Sequence, residues 1–136
     1  MDTLHIKSGR ITLSVNGDSS RLVSFDPEDV AFVTGFYTLL GRFAQKGEEY
    51  SSMTASLNPQ EQQAVEAAAQ KAKELLRWLM EEIDNLFGEG TCLAAFGETC
   101  SPAMLRQFFE GIAPYVRSVR EKKLAQYAEP HGGALQ

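Results

Sequence analysis

The residues of this chain that could carry nucleophilic or metal chemistry are two cysteines and two histidines. Cys92 and Cys100 lack the CxxC spacing of redox and zinc motifs. A cysteine nucleophile needs a histidine within hydrogen-bond reach, but His5 and His131 lie near opposite ends of the chain. A zinc site made of all four residues fits none of the usual ligand spacings. The sequence therefore favours inert thiols in a reducing cytoplasm over a thiol or zinc enzyme.

An acidic patch forms the second candidate for chemistry, and it consists of Glu81, Glu82, Asp84 and Glu89. Glu81 and Asp84 would share a helix face, and paired carboxylates can bind a hard metal ion or act as acid and base. No histidine or Asp-rich loop accompanies them, so a solvated acidic face is the better interpretation. The adjoining Gly88-Glu89-Gly90-Thr91 lacks the lysine of a phosphate loop and is better explained as a helix end. We therefore predict no catalytic residue, cofactor or metal, and a small metal- or thiol-dependent enzyme is the least favoured alternative.

Length and charge restrict the function classes further. The chain has 136 residues, of which 43% are hydrophobic, enough for the core of one domain. A net charge of −5 argues against a general nucleic-acid binder, because phosphate binding needs clustered positive charge. The sequence shows neither a leader pattern nor a run of about 18 apolar residues. We expect a soluble cytoplasmic protein that binds neither nucleic acid nor membranes.

A long amphipathic helix, predicted over residues 59–87, would position both the acidic patch and the first cysteine. Its apolar positions alternate steps of four and three and form one stripe: Val65, Ala69, Ala72, Leu76, Leu79, Ile83 and Leu86. The second half carries the large side chains and should make the core. The first half, residues 60–73, is rich in Ala, Glu, Gln and Lys, and either projects or pairs with a like helix in an oligomer.

A β-hairpin is predicted over residues 11–25. Its first strand, residues 11–15, alternates apolar and polar residues, and Asn16-Gly17 favours a tight turn. The second strand is predicted at residues 21–25, with Val23 or Leu22 on the apolar face. Residues 4–7 alternate in the same way and leave a further strand open.

Three more helices are predicted, over about residues 27–47, 91–96 and 102–127. Asp26 and Ser101 would be the N-caps of the two long ones, and Asn58-Pro59 would begin the 59–87 helix. Gly35 and Gly41 predict close packing of the first helix, and Pro114 predicts a kink in the last. The predicted buried positions are Val30, Val33, Phe36 or Tyr37, Leu40 and Phe43 in the first helix, and Leu105, Phe108 or Phe109, Ile112, Val116 and Val119 in the last. The predicted fold class is α+β, mainly α: one domain over residues 1–128, a hairpin followed by a small helical bundle of three main helices and one short one, with a flexible tail at 129–136.

The run Glu82-Ile83-Asp84-Asn85-Leu86-Phe87-Gly88-Glu89-Gly90-Thr91-Cys92, with Phe96-Gly97 and Phe108-Phe109-Glu110-Gly111-Ile112-Ala113-Pro114-Tyr115, resembles small phage and prophage proteins of Gram-positive hosts. The hairpin that leads into Phe25-Asp26-Pro27-Glu28-Asp29 resembles them as well. Such proteins are similar to those of siphophage tail modules, encoded between the tail-tube and tape measure proteins. The resemblance implies a non-enzymatic assembly chaperone that acts as an oligomer and binds apolar helices of the tape measure or growing tail, with no catalytic residues to transfer.

The predicted function is therefore phage tail assembly, or another structural role, through protein–protein contacts. A minor structural component of the virion is the first alternative, and a homo-oligomer stays open. Large apolar side chains near the long helix are predicted to be core, or to mark a partner site if they are exposed together. The candidate interaction residues are Leu76, Leu79, Ile83, Phe87, Phe96, Phe108 and Phe109.

Overall fold

The computed structural model describes the backbone of residues 1–128 and the side chains of residues 1–119, so the predicted tail lies outside the described residues. The elements, in order, are β1 (Ile11–Val15), β2 (Asp18–Phe25), α1 (Val30–Ala55), α2 (Gln62–Phe87), α3 (Thr91–Phe96) and α4 (Pro102–Ala128). A hairpin thus precedes three long helices and one short one. The α+β, mainly α fold class is confirmed.

The hairpin turns at Asn16 and Gly17, whose φ values of 55° and 76° are the left-handed values that this turn requires. β2 is longer than predicted and begins at Asp18, because an irregularity near the turn lets it pair with Val15. Val23 faces the core, whereas Leu22 is half exposed. Among the described residues the sheet has only these two strands, so residues 4–7 do not extend it.

Both ends of α1 differ from the prediction. Asp29, not Asp26, is the N-cap and accepts a hydrogen bond from the Ala31 amide at 3.0 Å. Asp26 instead accepts from the Glu28 amide in the preceding turn. The helix continues to Ala55 through the segment that its serines marked as a connection, and in its last turns the Thr54 hydroxyl donates to the carbonyl oxygens of Tyr50 and Ser51 at 3.0 and 3.1 Å.

The residues of α1 that are buried also differ by one position from some of those predicted to be buried. Phe32, Phe36 and Leu39 are buried, while Val30 at the start of the helix is 78% exposed. Tyr37, the alternative to Phe36, is exposed. The predicted Val33, Leu40 and Phe43 pack against the core as partly buried residues.

α2 begins at Gln62, three residues later than predicted. Asn58 accepts from the Gln60 amide at 2.9 Å and so closes the preceding turn instead of capping the helix. Leu79, Ile83 and Phe87 make the buried stripe of the second half. In the first half the stripe shifts to Ala68, leaving the predicted Val65 and Ala69 exposed.

α1 and α2 run in opposite directions as a helical hairpin. Gly35 near the start of α1 meets Leu86 near the end of α2, and a Cβ on Gly35 would lie 2.6 Å from Leu86 Cδ1. Tyr50 and Lys71, nearer the connection, line one shared cavity. Close packing is therefore confirmed at Gly35. It is wrong at Gly41, where an added Cβ would meet nothing within 4 Å.

α2 ends just before Gly88 and Gly90, as these two glycines predicted. Gly88 and Gly90 adopt positive φ values, and Gly90 precedes the first residue of α3. Ser101 accepts from the Met104 amide at 3.2 Å, which confirms it as the N-cap of α4. α4 continues through Pro114, and the kink there stays a prediction. Its predicted buried face is confirmed at Leu105, Phe109, Ile112 and Val116.

All eight phenylalanines of the chain belong to one connected group of ring contacts, which we call the phenylalanine cluster: Phe25, Phe32, Phe36, Phe43, Phe87, Phe96, Phe108 and Phe109. The closest ring centroids, at 5.1 Å, join Phe87 to Phe32 and to Phe108 in edge-to-face arrangements. Aromatic pairs at this distance are favourable beyond their buried area. The cluster ties β2 to all four helices.

Candidate functional site

An open apolar groove lies between α1, α2 and α4, with a volume of about 880 Å³. Its large apolar lining residues are Leu40, Phe43, Leu75, Leu76, Leu79 and Phe109. We call this feature the helix groove. It contains three of the seven residues predicted to contact a partner: Leu76, Leu79 and Phe109.

Small residues on the facing helices explain why the groove stays open. Ala44, Gly47 and Ser51 line it from α1, Ala72 from α2 and Ala113 from α4. An added Cβ on Gly47 would meet no heavy atom within 4 Å, so the glycine is not needed for close helix contact. Side chains of this size do not reach across the space between helices. The local sequence therefore leaves an apolar surface that the chain itself does not fill.

Three charged side chains among the groove residues have no partner in the described part of the chain. They are Glu48 on α1 and Arg106 and Glu110 on α4, and all three are exposed. In the described part of the chain no residue forms a hydrogen bond or ion pair with their side chains, although Arg106 and Glu110 have the spacing of a helical ion pair. The rim can therefore offer both signs of charge to a bound molecule.

The other candidate interaction residues lie inside the phenylalanine cluster or beside it. Ile83, Phe87 and Phe96 are buried, and Phe108 is partly buried between the rings of Phe87 and Phe96. The prediction that they belong to the core is confirmed. Leu76, by contrast, is partly exposed and lines the helix groove.

Sequence reasoning missed the α1 wall of the groove and, apart from Phe109, the α4 wall. The signal that could have found the α1 wall is the change along one face of α1 from the large Leu40 and Phe43 to the small Ala44, Gly47 and Ser51. These small residues of α1 face the Ala-rich half of α2. Periodicity did not reveal this wall, because an alanine counts as apolar whether or not it fills space.

A second, more polar cavity of about 610 Å³ is lined by Arg42, Lys46, Lys71, Glu74 and Trp78, among other residues of α1 and α2. Tyr50 and Leu75 line both cavities and so stand between them. Lys46 pairs with Glu49 at 3.7 Å across exposed side chains, a contact of little energetic weight. The mixed charges of this cavity point to no defined ligand.

The cysteines are held in a structural role. Cys92 is buried, its thiol lies 3.2 Å from the Met80 carbonyl oxygen, and its amide donates to Asp84 Oδ1 at 2.9 Å. Burial, together with the Asp84 carboxylate, raises the pKa of the Cys92 thiol well above its ordinary value. Burial also raises the pKa of the Cys100 thiol. Both shifts disfavour the thiolate, which is the nucleophilic form.

The acidic patch is divided by the fold. Asp84 holds the first turn of α3 through the Cys92 amide, while Glu81 and Glu89 are exposed. Among the described side chains, no group of three or more His, Cys, Asp or Glu residues is placed to hold a metal ion.

No protein-family model, curated protein or solved structure matches this chain. Among the described residues, no helix combines the length and the apolar character that a membrane span needs. The functional proposal therefore rests on the helix groove.

Proposed function

We propose that this protein is a non-enzymatic binding protein that holds an amphipathic helix of another protein in the helix groove. The observation that carries the proposal is an open apolar groove whose walls are three helices of the same domain. Apolar grooves between helices are a recurrent way to bind an amphipathic helix, which inserts side chains spaced i, i+3, i+4 and i+7.

The dimensions and the rim of the groove support a helical occupant. Four anchors at that spacing extend over about 10 Å of helix, and a groove of about 880 Å³ has room for several such side chains. The exposed Glu48, Arg106 and Glu110 can meet the polar flanks of such a helix. Charged groups placed around an apolar site add specificity more than affinity.

The partner that we propose is an apolar helical stretch of a phage or prophage tail protein, with the tape measure protein first. The resemblance of residues 82–97 to small tail-module proteins suggests this partner. The helix groove supplies a physical means for the chaperone role that the resemblance implies. Covering such a stretch would keep its exposed apolar surface from aggregating.

Co-expression with the large helical protein encoded nearest to this gene tests the proposal. We expect stable, stoichiometric recovery of that protein with the wild-type chain. Leu76→Asp places a charge in the groove and should reduce recovery roughly tenfold or more. Leu93→Asp makes the same change at an exposed leucine on α3, outside the groove, and should leave recovery unchanged.

A second groove variant separates lost binding from lost folding. Ala72→Phe fills the groove with an apolar side chain and should also abolish recovery while the protein keeps its helical circular dichroism spectrum. Equal recovery with wild type, Leu76→Asp and Ala72→Phe would contradict the proposal. Failure to recover a demonstrably soluble partner with the wild-type chain would contradict it as well.

A further inference from the structure

The hairpin is a sheet of two strands, β1 paired with β2. Arg21, on the face of β2 that also carries Val23 and Phe25, donates from Nε to the Ala94 carbonyl oxygen at 2.8 Å and from Nη2 to that of Ala95 at 3.0 Å, so α3 lies against that face. In the described part of the chain β1 has no second strand neighbour. Its outer backbone N–H and C=O groups are therefore a template for another strand.

The apolar face of the hairpin is also covered unequally. Val23 and Phe25 of β2 are only 3% and 1% exposed. Ile11, Leu13 and Val15 of β1 are only partly buried. The rest of this chain thus covers the apolar side chains of β2 and leaves those of β1 partly exposed.

The segment that precedes β1 has the pattern of a strand but no strand partner. In Thr3-Leu4-His5-Ile6-Lys7, Leu4 and Ile6 alternate with polar residues, which would place both on one face of a strand. Leu4 is 82% exposed and Ile6 84% exposed, so neither packs on its own chain. The first proline of the sequence is Pro27, so nothing in the segment interrupts strand pairing.

We propose that residues 3–7 of one copy add as a third strand to the free edge of β1 in a second copy, and that the exchange is reciprocal. Each chain carries both halves of this contact, the open edge and the alternating segment, which is what a two-fold symmetric interface requires. Strand addition gives affinity through main-chain hydrogen bonds. A sheet of three strands is also more stable than an isolated hairpin.

The area of the segment fits a second copy as the occupant. Residues 3–7 expose roughly 860 Å² as an extended chain, at about 1.45 Å² per dalton. Burying about half of two such segments, with equal areas on the strands that receive them, exceeds the roughly 1,200 Å² at the lower end of stable interfaces.

Sedimentation equilibrium of the full chain over a range of concentrations tests the proposal. We expect the wild type to form a dimer, and Leu4→Asp to raise the dimer dissociation constant roughly tenfold or more, because each dimer loses two buried leucines. Ile6→Pro should do the same by removing an N–H from the added strand. Leu93→Asp is the matched control on α3 and should leave the dissociation constant unchanged.

Amide hydrogen exchange adds a readout that reports strand pairing directly. The amides of residues 4–7 should be protected in the dimer and lose that protection on dilution. A wild-type chain that is monomeric throughout would overturn the proposal. So would a dimer with equal dissociation constants in wild type, Leu4→Asp and Ile6→Pro, or protection of residues 4–7 in the monomer, which would mean that the segment folds back on its own β1.

Discussion

The two ends of the α1–α2 hairpin differ in what fills the space between the helices. Away from the connection, α1 carries Phe32 and Phe36 and α2 carries Phe87, and their rings form much of the phenylalanine cluster. Toward the connection the facing residues include Ala44 and Ala72, and the helix groove opens there. Both ends satisfy the same apolar periodicity. The volume of the side chains decides which end becomes core and which becomes a surface for a partner.

The largest expected effect comes from placing a charge on either side of the boundary between these two ends. Leu79 is 2% exposed, so Leu79→Asp should bury an unpaired carboxylate and remove the cooperative unfolding transition in urea. Leu76, one turn earlier, is partly exposed to the groove, and Leu76→Asp should stay folded at a cost of about 2 kcal/mol or less.

Circular dichroism during urea titration of the two variants measures the difference. If both variants unfold alike, the groove is as much a part of the core as the phenylalanine cluster. If Leu79→Asp keeps wild-type stability, Leu79 does not belong to the core, and the distinction between the two ends would have to be abandoned.

A smaller effect concerns pH at the packed end. The pKa of the Cys92 thiol is raised in the folded protein, whereas in the unfolded chain the thiol ionises near its ordinary value of about 8.5 to 9. Stabilisation from the protonated thiol is fully present below that pH and is lost as the pH rises above it. Between about pH 8 and pH 10 the wild type should lose about 1–2 kcal/mol more stability than Cys92→Ala.

Urea titrations at several pH values, with Cys100→Ala as the matched variant, check this prediction. Cys100 is less buried than Cys92, so its removal should change the pH dependence less. Equal pH dependence of wild type and Cys92→Ala would mean that the buried thiol is not kept protonated by the fold.

The smallest effect separates the two interior glycines of α1. Gly41→Ala meets open space and should stabilise the protein by about 1 kcal/mol through helix propensity alone. Gly35→Ala gains the same propensity but pushes against Leu86 Cδ1, and its net effect should be near zero or destabilising. Thermal unfolding of the two variants measures the difference. Equal gains at both positions would show that the helices are not in close contact at Gly35.

Much of the fold follows from local signals in the sequence. The Asn16-Gly17 turn, the Ser101 N-cap and the glycines at 88 and 90 each act within a few residues, and the structure confirms them. The errors in the ends of the helices arise where two local signals compete. Asp26 and Asp29 are both good caps, and only the hydrogen bond to the Ala31 amide shows which one begins α1.

The candidate site was less predictable than the fold. Leu76 and Leu79 were found because they lie on an amphipathic stripe. Glu48, Arg106 and Glu110 carry no local signal, because they share the groove only after α1 and α4 come together. The bonds from Arg21 to the end of α3 join residues more than 70 positions apart, and periodicity contains no information about such contacts.

The sequence by itself determined the number, type and order of the elements, since turns, caps and apolar periodicity act over a few residues. It also determined that the chain is rich in side chains able to form one aromatic core. Tertiary structure alone decided that Phe36, not Tyr37, enters this core, that Val23 and not Leu22 faces inward, and that the α2 stripe is covered at one end and open at the other. Those outcomes depend on which side chains of different elements come into contact. Local sequence patterns do not specify such contacts, because the residues are far apart along the chain.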